Sequence, residues 1–244
     1  PKITIDAPPV DQFRGGLFTA ANFPDTPRQL GDSGEGADNR WEAGIQYQTE
    51  QCADPSAWAE TCGTPPVVDK EATLEFPMVE GDPFIAYLGV ECKLVGNTLE
   101  EFERRVRNAL AACEFRTVER TFWTGDMGND PHLADPSAVI VGGGTVLAPL
   151  SIVAGVAALE SALGDQYCGV GTIHAARGLS PYLADKQLIN GTTAKPTTPL
   201  GTRWAFGAGY SVNTGPDGAP APAGVGWMYA TGQINIWRSE IWLQ

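Results

Sequence analysis

Residues 98–125 read TLEEFERRVRNALAACEFRTVERTFWTG, and they carry the strongest helical pattern in the chain. Thr98 followed by Glu101 is a capping box, in which each side chain satisfies a backbone N–H that the first turn leaves free. Leu99, Phe102, Val106, Leu110 and Cys113 recur at three- and four-residue steps, and Val118 and Phe122 continue the stripe. Glu103, Arg104, Arg107 and Arg116 fall on the opposite face. Glu100 to Arg104 and Glu103 to Arg107 are i,i+4 pairs in the favourable order, each worth ~0.2–0.5 kcal/mol. Gly125 supplies the stop. The spacing predicts a helix of ~37 Å, long enough to be the spine of a domain, with its apolar stripe as the main core.

Upstream, residues 83–95 are mostly apolar and predict a strand region that turns at Gly96-Asn97 into the helix. Residues 38–82 predict a long two-stranded hairpin. Ile45-Gln46-Tyr47-Gln48 and Thr73-Leu74-Glu75-Phe76 alternate, with Pro55, Gly63, Pro65 and Pro66 between them. A hairpin of this kind buries no core of its own and needs a partner surface. Residues 1–37 hold no period and predict an extended arm anchored by Phe13, Phe18 and Phe23.

Downstream, a loop from Asp126 to Pro136 leads to Ala138-Val139-Ile140-Val141 and then Gly142-Gly143-Gly144. A second helix is expected from Ser151 to Leu163, with Ile152, Val156, Leu159 and Leu163 inward and Gly164 as its stop. A strand follows at Val170–His174, then a short helix at Ser180–Leu188. Residues 190–201 and 213–226 are Gly/Pro/Thr loops. The closing strand spans Gly232–Trp242, with Ile234, Ile236 and Arg238 facing opposite to Gln233, Asn235 and Trp237.

The 244 residues fit one large domain or two small ones. With 43% hydrophobic and only 18% charged residues, an acidic disordered chain is excluded. The 29 glycines and 19 prolines predict long loops. The net charge of −13 argues against a broad basic face for nucleic acid. The N-terminal Pro-Lys-Ile-Thr-Ile-Asp lacks the pattern of a signal peptide. Ala138 to Leu159 is uncharged and long enough to span a bilayer, but its glycines and Pro149 interrupt it, and no membrane span is expected.

The five cysteines (Cys52, Cys62, Cys92, Cys113 and Cys168) include no C-x-x-C pair, and His132 and His174 lie far apart. No zinc site is expected, and free thiols in a reducing cytoplasm are the leading expectation. A Cys52–Cys62 loop disulfide is the alternative. Val139–Gly144 invites a dinucleotide-binding reading, but the third fingerprint glycine is replaced by Leu147 and Pro149 precedes the helix. A flexible hinge or tight turn is expected instead. There is no G-x-S-x-G, and His174 is a core or loop histidine. Glu114 and Glu119 are five residues apart on the helix and point to different faces. No catalytic, cofactor-binding or metal-binding residues are assigned, and an enzyme is not expected.

The order of elements is more informative than any motif. An arm, a long hairpin, a strand running from Phe84 to Val95 into a spine helix that ends Phe122-Trp123-Thr124-Gly125, a mixed region and a returning strand follow one another. This order resembles the Hong Kong 97-type capsid fold of tailed bacteriophages, which encapsulin nanocompartments share. Gly169–Ala175 followed by Pro181–Asp185 is similar to the axial domain's strand and helix, and Tyr229–Ile241 to the closing strand. The resemblance implies an α+β fold with an N-terminal arm (1–37), an extended loop (38–82), a peripheral domain (83–135 and 227–244) with spine helix 98–124, and an axial domain (136–226). It implies a major capsid protein that self-assembles into an icosahedral virion shell around double-stranded DNA, without cofactors or membrane contact. Its partners would be many copies of itself, as pentamers and hexamers. Portal, scaffold or decoration proteins are further candidates. Assembly would take place in the host cytoplasm.

The chain departs from that family in being short and in lacking a long charged helical segment at its start. An encapsulin shell is the nearest alternative, though encapsulins tend to begin with a helix. A minor virion or tail component and a soluble enzyme follow. Some family members join a hairpin lysine to an asparagine of a neighbouring subunit with a glutamate assisting. Lys70, Asn235 and Glu240 supply the residue types, but Asp69 and Glu71 would hold Lys70 charged. No crosslink is expected.

Overall fold

Helix α2 (Leu99–Thr124) begins and ends where its local signals place it. Thr98 Oγ1 accepts the Glu101 N–H at 3.2 Å, and the Glu101 carboxylate accepts the Thr98 N–H at 3.0 Å. Gly125 closes the helix at φ 65°, a left-handed conformation that a Cβ disfavours. The computed structural model describes residues 14–24, 44–48, 77–91 and 98–238, and these form an α+β fold.

Strand β1 (Ile45–Gln48) pairs antiparallel with β2 (Met78–Gly81), Ile45 opposite Gly81 and Gln48 opposite Met78. The first strand is the one expected within residues 38–82, but its partner is Met78–Gly81 where Thr73–Phe76 was expected. Thr73–Phe76 lies outside the described residues. Helix α1 (Leu17–Ala20) is a single turn within the arm. After α2 come α3 (Ile152–Gln166), β3 (Thr172–Ala176), α4 (Ser180–Asp185), β4 (Asn190–Gly191), β5 (Pro196–Thr197), β6 (Arg203–Gly207) and β7 (Met228–Thr231). The five strands β3–β7 form one sheet in the order β4-β5-β6-β3-β7. In it β3 runs parallel to β6 and antiparallel to β7.

Alternation along the central strands sorts the core into two layers. Ile173 and Ala175 of β3, with Trp204 and Phe206 of β6, face Val156, Leu163 and Leu183 of α3 and α4. His174 and Ala205 face the other way. There Ala205 joins Trp123, Tyr210, Tyr229, Leu133 and Leu17, and Phe122 sets its ring edge-on to His174.

Several expectations are corrected here. The stripe of α2 is not the main core: Phe102, Val106 and Leu110 are half-buried and Leu99 is exposed. Only Glu119, Thr121 and Trp123 of this helix are buried, because α1 and the 3₁₀ turn Gly209–Val212 pack near its C-terminal end. Residues 83–91 form no strand, and the rest of the expected strand region 83–95 lies outside the described residues. Helix α3 starts at its Ser151 cap but runs through Gly164 to Gln166, since a glycine inside a helix costs only ~1 kcal/mol. It stops where Cys168 adopts φ 54°. Strand β3 begins two residues later than expected and α4 ends at Asp185. The returning strand is Met228–Thr231, ahead of the expected start at Gly232. Beyond it, Ile234 O accepts the Asn22 N–H at 2.9 Å and Ile236 N–H reaches Asn22 O at 2.8 Å, so the arm takes the place of a sheet neighbour.

The arm is anchored by Leu17 and, in part, by Phe18, which packs against the core, but not by Phe23. Leu17 is buried, whereas Phe18 is half-buried and Phe23 exposed. Phe13 lies outside the described residues. Arg203 donates to Ala20 O at 2.9 Å and Phe206 N–H to Gly15 O at 2.7 Å. The expectation of free thiols holds for Cys113 and fails for Cys168, which is disulfide-bonded. The proposed Cys52–Cys62 bridge lies outside the described residues. No helix among the described residues is long and apolar enough to cross a membrane.

Candidate functional site

The end of α2 enters the core next to β3 and the 3₁₀ turn Gly209–Val212, and three ionisable side chains meet there. Glu119 accepts the Leu17 N–H at 2.9 Å with Oε1 and the Gly209 N–H at 3.0 Å with Oε2. The approach is close enough to require glycine at 209: a Cβ would lie 2.4 Å from the Arg116 carbonyl oxygen and 2.6 Å from the Arg120 nitrogen. Burial raises the Glu119 pKa above the ordinary glutamate value. The two N–H donors and the field of Arg177 act against that rise.

His174 is fully enclosed, and burial pulls its pKa down to about 3, so the ring is neutral at pH 7. Its Nδ1 lies 2.9 Å from the Tyr210 hydroxyl and its Nε2 3.0 Å from Thr231 Oγ1. Thr231 Oγ1 donates to Gly232 O at 3.0 Å. Thr231 therefore accepts from Nε2–H, which leaves Nδ1 to accept from Tyr210. Burial and the nearby Glu119 charge push the Tyr210 phenol well above its usual range.

A glutamate, a histidine and a tyrosine in one cluster resemble the parts of an acid–base site. Each of the three is buried, and each hydrogen bond is spent on another part of the fold. A catalytic base must reach a substrate proton directly or through one water, and here all three groups are enclosed by the fold. What the cluster does is tie the arm, the end of α2, the 3₁₀ turn, β3 and β7 to one another. Trp123 adds to it, donating from Nε1 to Thr214 O at 3.0 Å and meeting Tyr229 edge-to-face at 5.0 Å.

Sequence reading separated Glu114 from Glu119, and the fold keeps them apart. Glu114 pairs at the surface with Arg238, while Glu119 turns inward. It identified His174 as a core or loop residue, and the structure places it in the core. The roles of Tyr210 and Glu119 had no local signal, because their partners lie 36 and 102 residues away.

Asp130, His132 and Asp135 bring their ligand-type atoms within 4.8 Å of one another. Two carboxylates and an imidazole suit a divalent cation in principle. Here Oδ1 of Asp135 accepts from the Ser137 N–H and hydroxyl, which hold the Asp135 pKa below the usual range, while Oδ2 lies 3.9 Å from His132 Nδ1 and Asp130 stands exposed. The His132 ring packs against Gly125, where a Cβ would lie 2.7 Å from it. Of the crosslinking residue types, Asn235 accepts from Asn22 Nδ2 at 3.2 Å, while Lys70 and Glu240 lie outside the described residues.

The remaining feature is a groove of about 540 Å³ between residues 138–152 and the segment Gly224–Tyr229. Val139, Ile140, Tyr182 and Trp227 are among its lining residues, and no lining residue is charged. The glycine run borders this groove as a turn, with Gly142 and Gly143 at φ 73° and 71°, and α3 starts only at Ile152. No protein-family model, curated protein or solved structure matches the chain.

Proposed function

We propose that this chain is the building block of an icosahedral shell of the Hong Kong 97 type, a major capsid protein enclosing the double-stranded DNA of a tailed bacteriophage. The observation that carries the reading is the hairpin β1–β2. Among the described residues it forms a sheet of its own, separate from the five-stranded sheet. A two-stranded hairpin is marginal alone in water, and cover from a neighbouring subunit would stabilise it. The half-buried stripe along the first two-thirds of α2 calls for the same cover.

A closed shell provides it by distributing each subunit's uncovered surfaces over its neighbours through heterologous contacts. The polar cluster at Glu119 and His174 suits a mechanical part, since it locks elements together and presents no reactive group. The acidic net charge suits a container that must not grip DNA during packaging.

Negative-stain microscopy and sedimentation of the purified chain test the proposal. Closed shells of uniform diameter are expected. Rings or tubes would favour a tail component, and small discrete particles at all concentrations would overturn the shell. Shells filled with a protein cargo in place of DNA would favour the encapsulin alternative.

A further inference from the structure

The loop that follows α2 is held against the end of that helix. Leu133 N–H donates to Phe122 O and Ala134 N–H to Trp123 O, both at 2.9 Å, and the Asn129 side-chain amide donates to Thr121 O at 3.3 Å. Asn129, Leu133 and Ala134 are buried, so the residues beside them stand on a fixed frame. Those residues are Asp130, His132 and Asp135, whose ligand-type atoms all lie within 4.8 Å of one another. The His132 ring is fixed as well, because its contact with Gly125 leaves no room for a Cβ.

Two buried atoms of this loop have no hydrogen-bond partner. His132 Nδ1 and Asn129 Oδ1 are two of only five such side-chain atoms among the described residues. An amide oxygen is an acceptor, and a neutral imidazole with its proton on Nε2 offers a lone pair at Nδ1. Orphaned buried atoms of this kind call for an ordered water or an ion. Asp135 Oδ2 lies 3.9 Å from His132 Nδ1, while Oδ1 of the same carboxylate is spent on Ser137. That gap is too long for a hydrogen bond. It suits two ligands of one cation, each about 2.0–2.2 Å from the ion.

We infer that Asp130, His132 and Asp135 bind a divalent first-row transition-metal ion. An imidazole nitrogen beside two carboxylates favours manganese or zinc over calcium and magnesium, and the lack of a thiolate in the set disfavours softer cations. Charge selects an ion over a water. Among the described residues no Lys or Arg is ion-paired with Asp130 or Asp135, and the nearby Arg120 is engaged with Asp126 at 3.7 Å. The carbonyl end of α2 adds partial negative charge from beneath. A water would satisfy the orphaned atoms and leave both carboxylates uncompensated. The exposed Asp130 side chain completes the set by a change of rotamer. The site also reaches the hairpin: Asp82, directly after β2, donates its N–H to Asp130 O at 2.7 Å, so an ion held by Asp130 steadies the base of β1–β2.

The inference does not rest on the shell reading. Mn²⁺ is the probe, because it takes carboxylate ligands and avoids the exposed Cys113 thiol. The full chain, stripped with chelator and dialysed, is titrated with MnCl₂ at physiological ionic strength, and bound and free ion are read by electron paramagnetic resonance. A single tight equivalent is expected, with nitrogen hyperfine coupling from the imidazole and a rise in the thermal midpoint of the chain. Asp130→Asn and His132→Gln are each expected to weaken binding by roughly ten-fold or more, and His132→Gln to remove the nitrogen coupling. Melts in chelator check that both variants fold. Asp130 is exposed, so Asp130→Asn carries the test even where His132→Gln is destabilised. Binding of several weak equivalents, untouched by either substitution, would belong to the acidic surface at large and overturn the site. A wild-type chain that binds no Mn²⁺, or binds it without nitrogen coupling, would overturn it as well.

Discussion

Glu119 Oε1 accepts the backbone N–H of Leu17 at 2.9 Å, joining residues 102 positions apart, while its other oxygen holds Gly209. The carboxylate thereby fixes the arm to the end of α2 and to the turn beyond β6. A side chain from mid-chain thus helps to place residues 14–24 of the N-terminal arm.

Glu119→Ala strands both N–H groups in the core, and each buried, unmade bond costs about 1–3 kcal/mol. Relief of the carboxylate's own burial offsets part of this, leaving an expected net loss of about 1–3 kcal/mol by urea unfolding at pH 7. Limited proteolysis of the variant is expected to cut within residues 14–24 before any site in α2. Glu119→Gln keeps one acceptor and should fall between the two. Equal protease resistance of Glu119→Ala and wild type would remove the carboxylate from its role as the arm's anchor.

Burial differs sharply along α2. Trp123 is fully buried and its ring meets Tyr229 and Tyr210, so Trp123→Ala is expected to cost about 3–5 kcal/mol. Phe102 and Leu110 are half-buried, and their replacement by Ala should cost less than half of that in the unassembled subunit. In assembled particles the gap should narrow as neighbours cover the stripe. Denaturant midpoints of both forms measure this, and equal losses at all three positions in the monomer would contradict the burial pattern.

The pH response follows from His174. Its pKa is near 3 in the fold against 6.5 in an unfolded chain. The native state therefore binds fewer protons than the unfolded state between those values. His174's contribution is complete above pH 6.5 and is lost as pH falls toward 3, by up to ~5 kcal/mol. Glu119 works in the opposite sense. Its raised pKa makes its contribution complete below pH 4.5 and smaller as pH rises through the folded value. Urea unfolding between pH 7 and pH 4 should show wild type losing stability more steeply than His174→Gln, which cannot titrate. Parallel curves would mean that His174 is not the acid-sensitive group.

Cys168 is disulfide-bonded while Cys113 is free and exposed. Non-reducing gel electrophoresis should show a mobility change that disappears with reductant and is absent in Cys168→Ser, whereas Cys113→Ser should leave it unchanged. Thiol labelling of the native chain should modify Cys113 and spare Cys168. Labelling of Cys168 without reductant would contradict the bond.

Local chemistry carried much of the fold. The capping box at Thr98 and Glu101, the stop at Gly125, the cap at Ser151 and the alternation of Ile45–Gln48 each depend on residues within a few positions of one another. Such signals are complete in the sequence and survive in the structure. Burial has no such locality. The stripe from Leu99 to Cys113 has the right period for a core, yet it is half-covered because its neighbours gather at the helix's other end. Gly164 looks like a stop, but Tyr167 and Cys168 both donate to Leu163 O beyond it, and the helix continues through. Residues Arg203–Gly207 became a central strand through pairing with β3, some thirty residues earlier in the chain, and not through any turn signal beside them. The polar cluster was the least legible part. Glu119, His174, Tyr210 and Leu17 are scattered over nearly two hundred residues, and only packing brings a donor to each acceptor. The sequence by itself determined where elements can start and what period they follow, because capping and periodicity are short-range. Which faces are covered, and which ionisable groups lose water and shift their pKa, was decided by tertiary contact, because desolvation depends on what the rest of the chain places nearby.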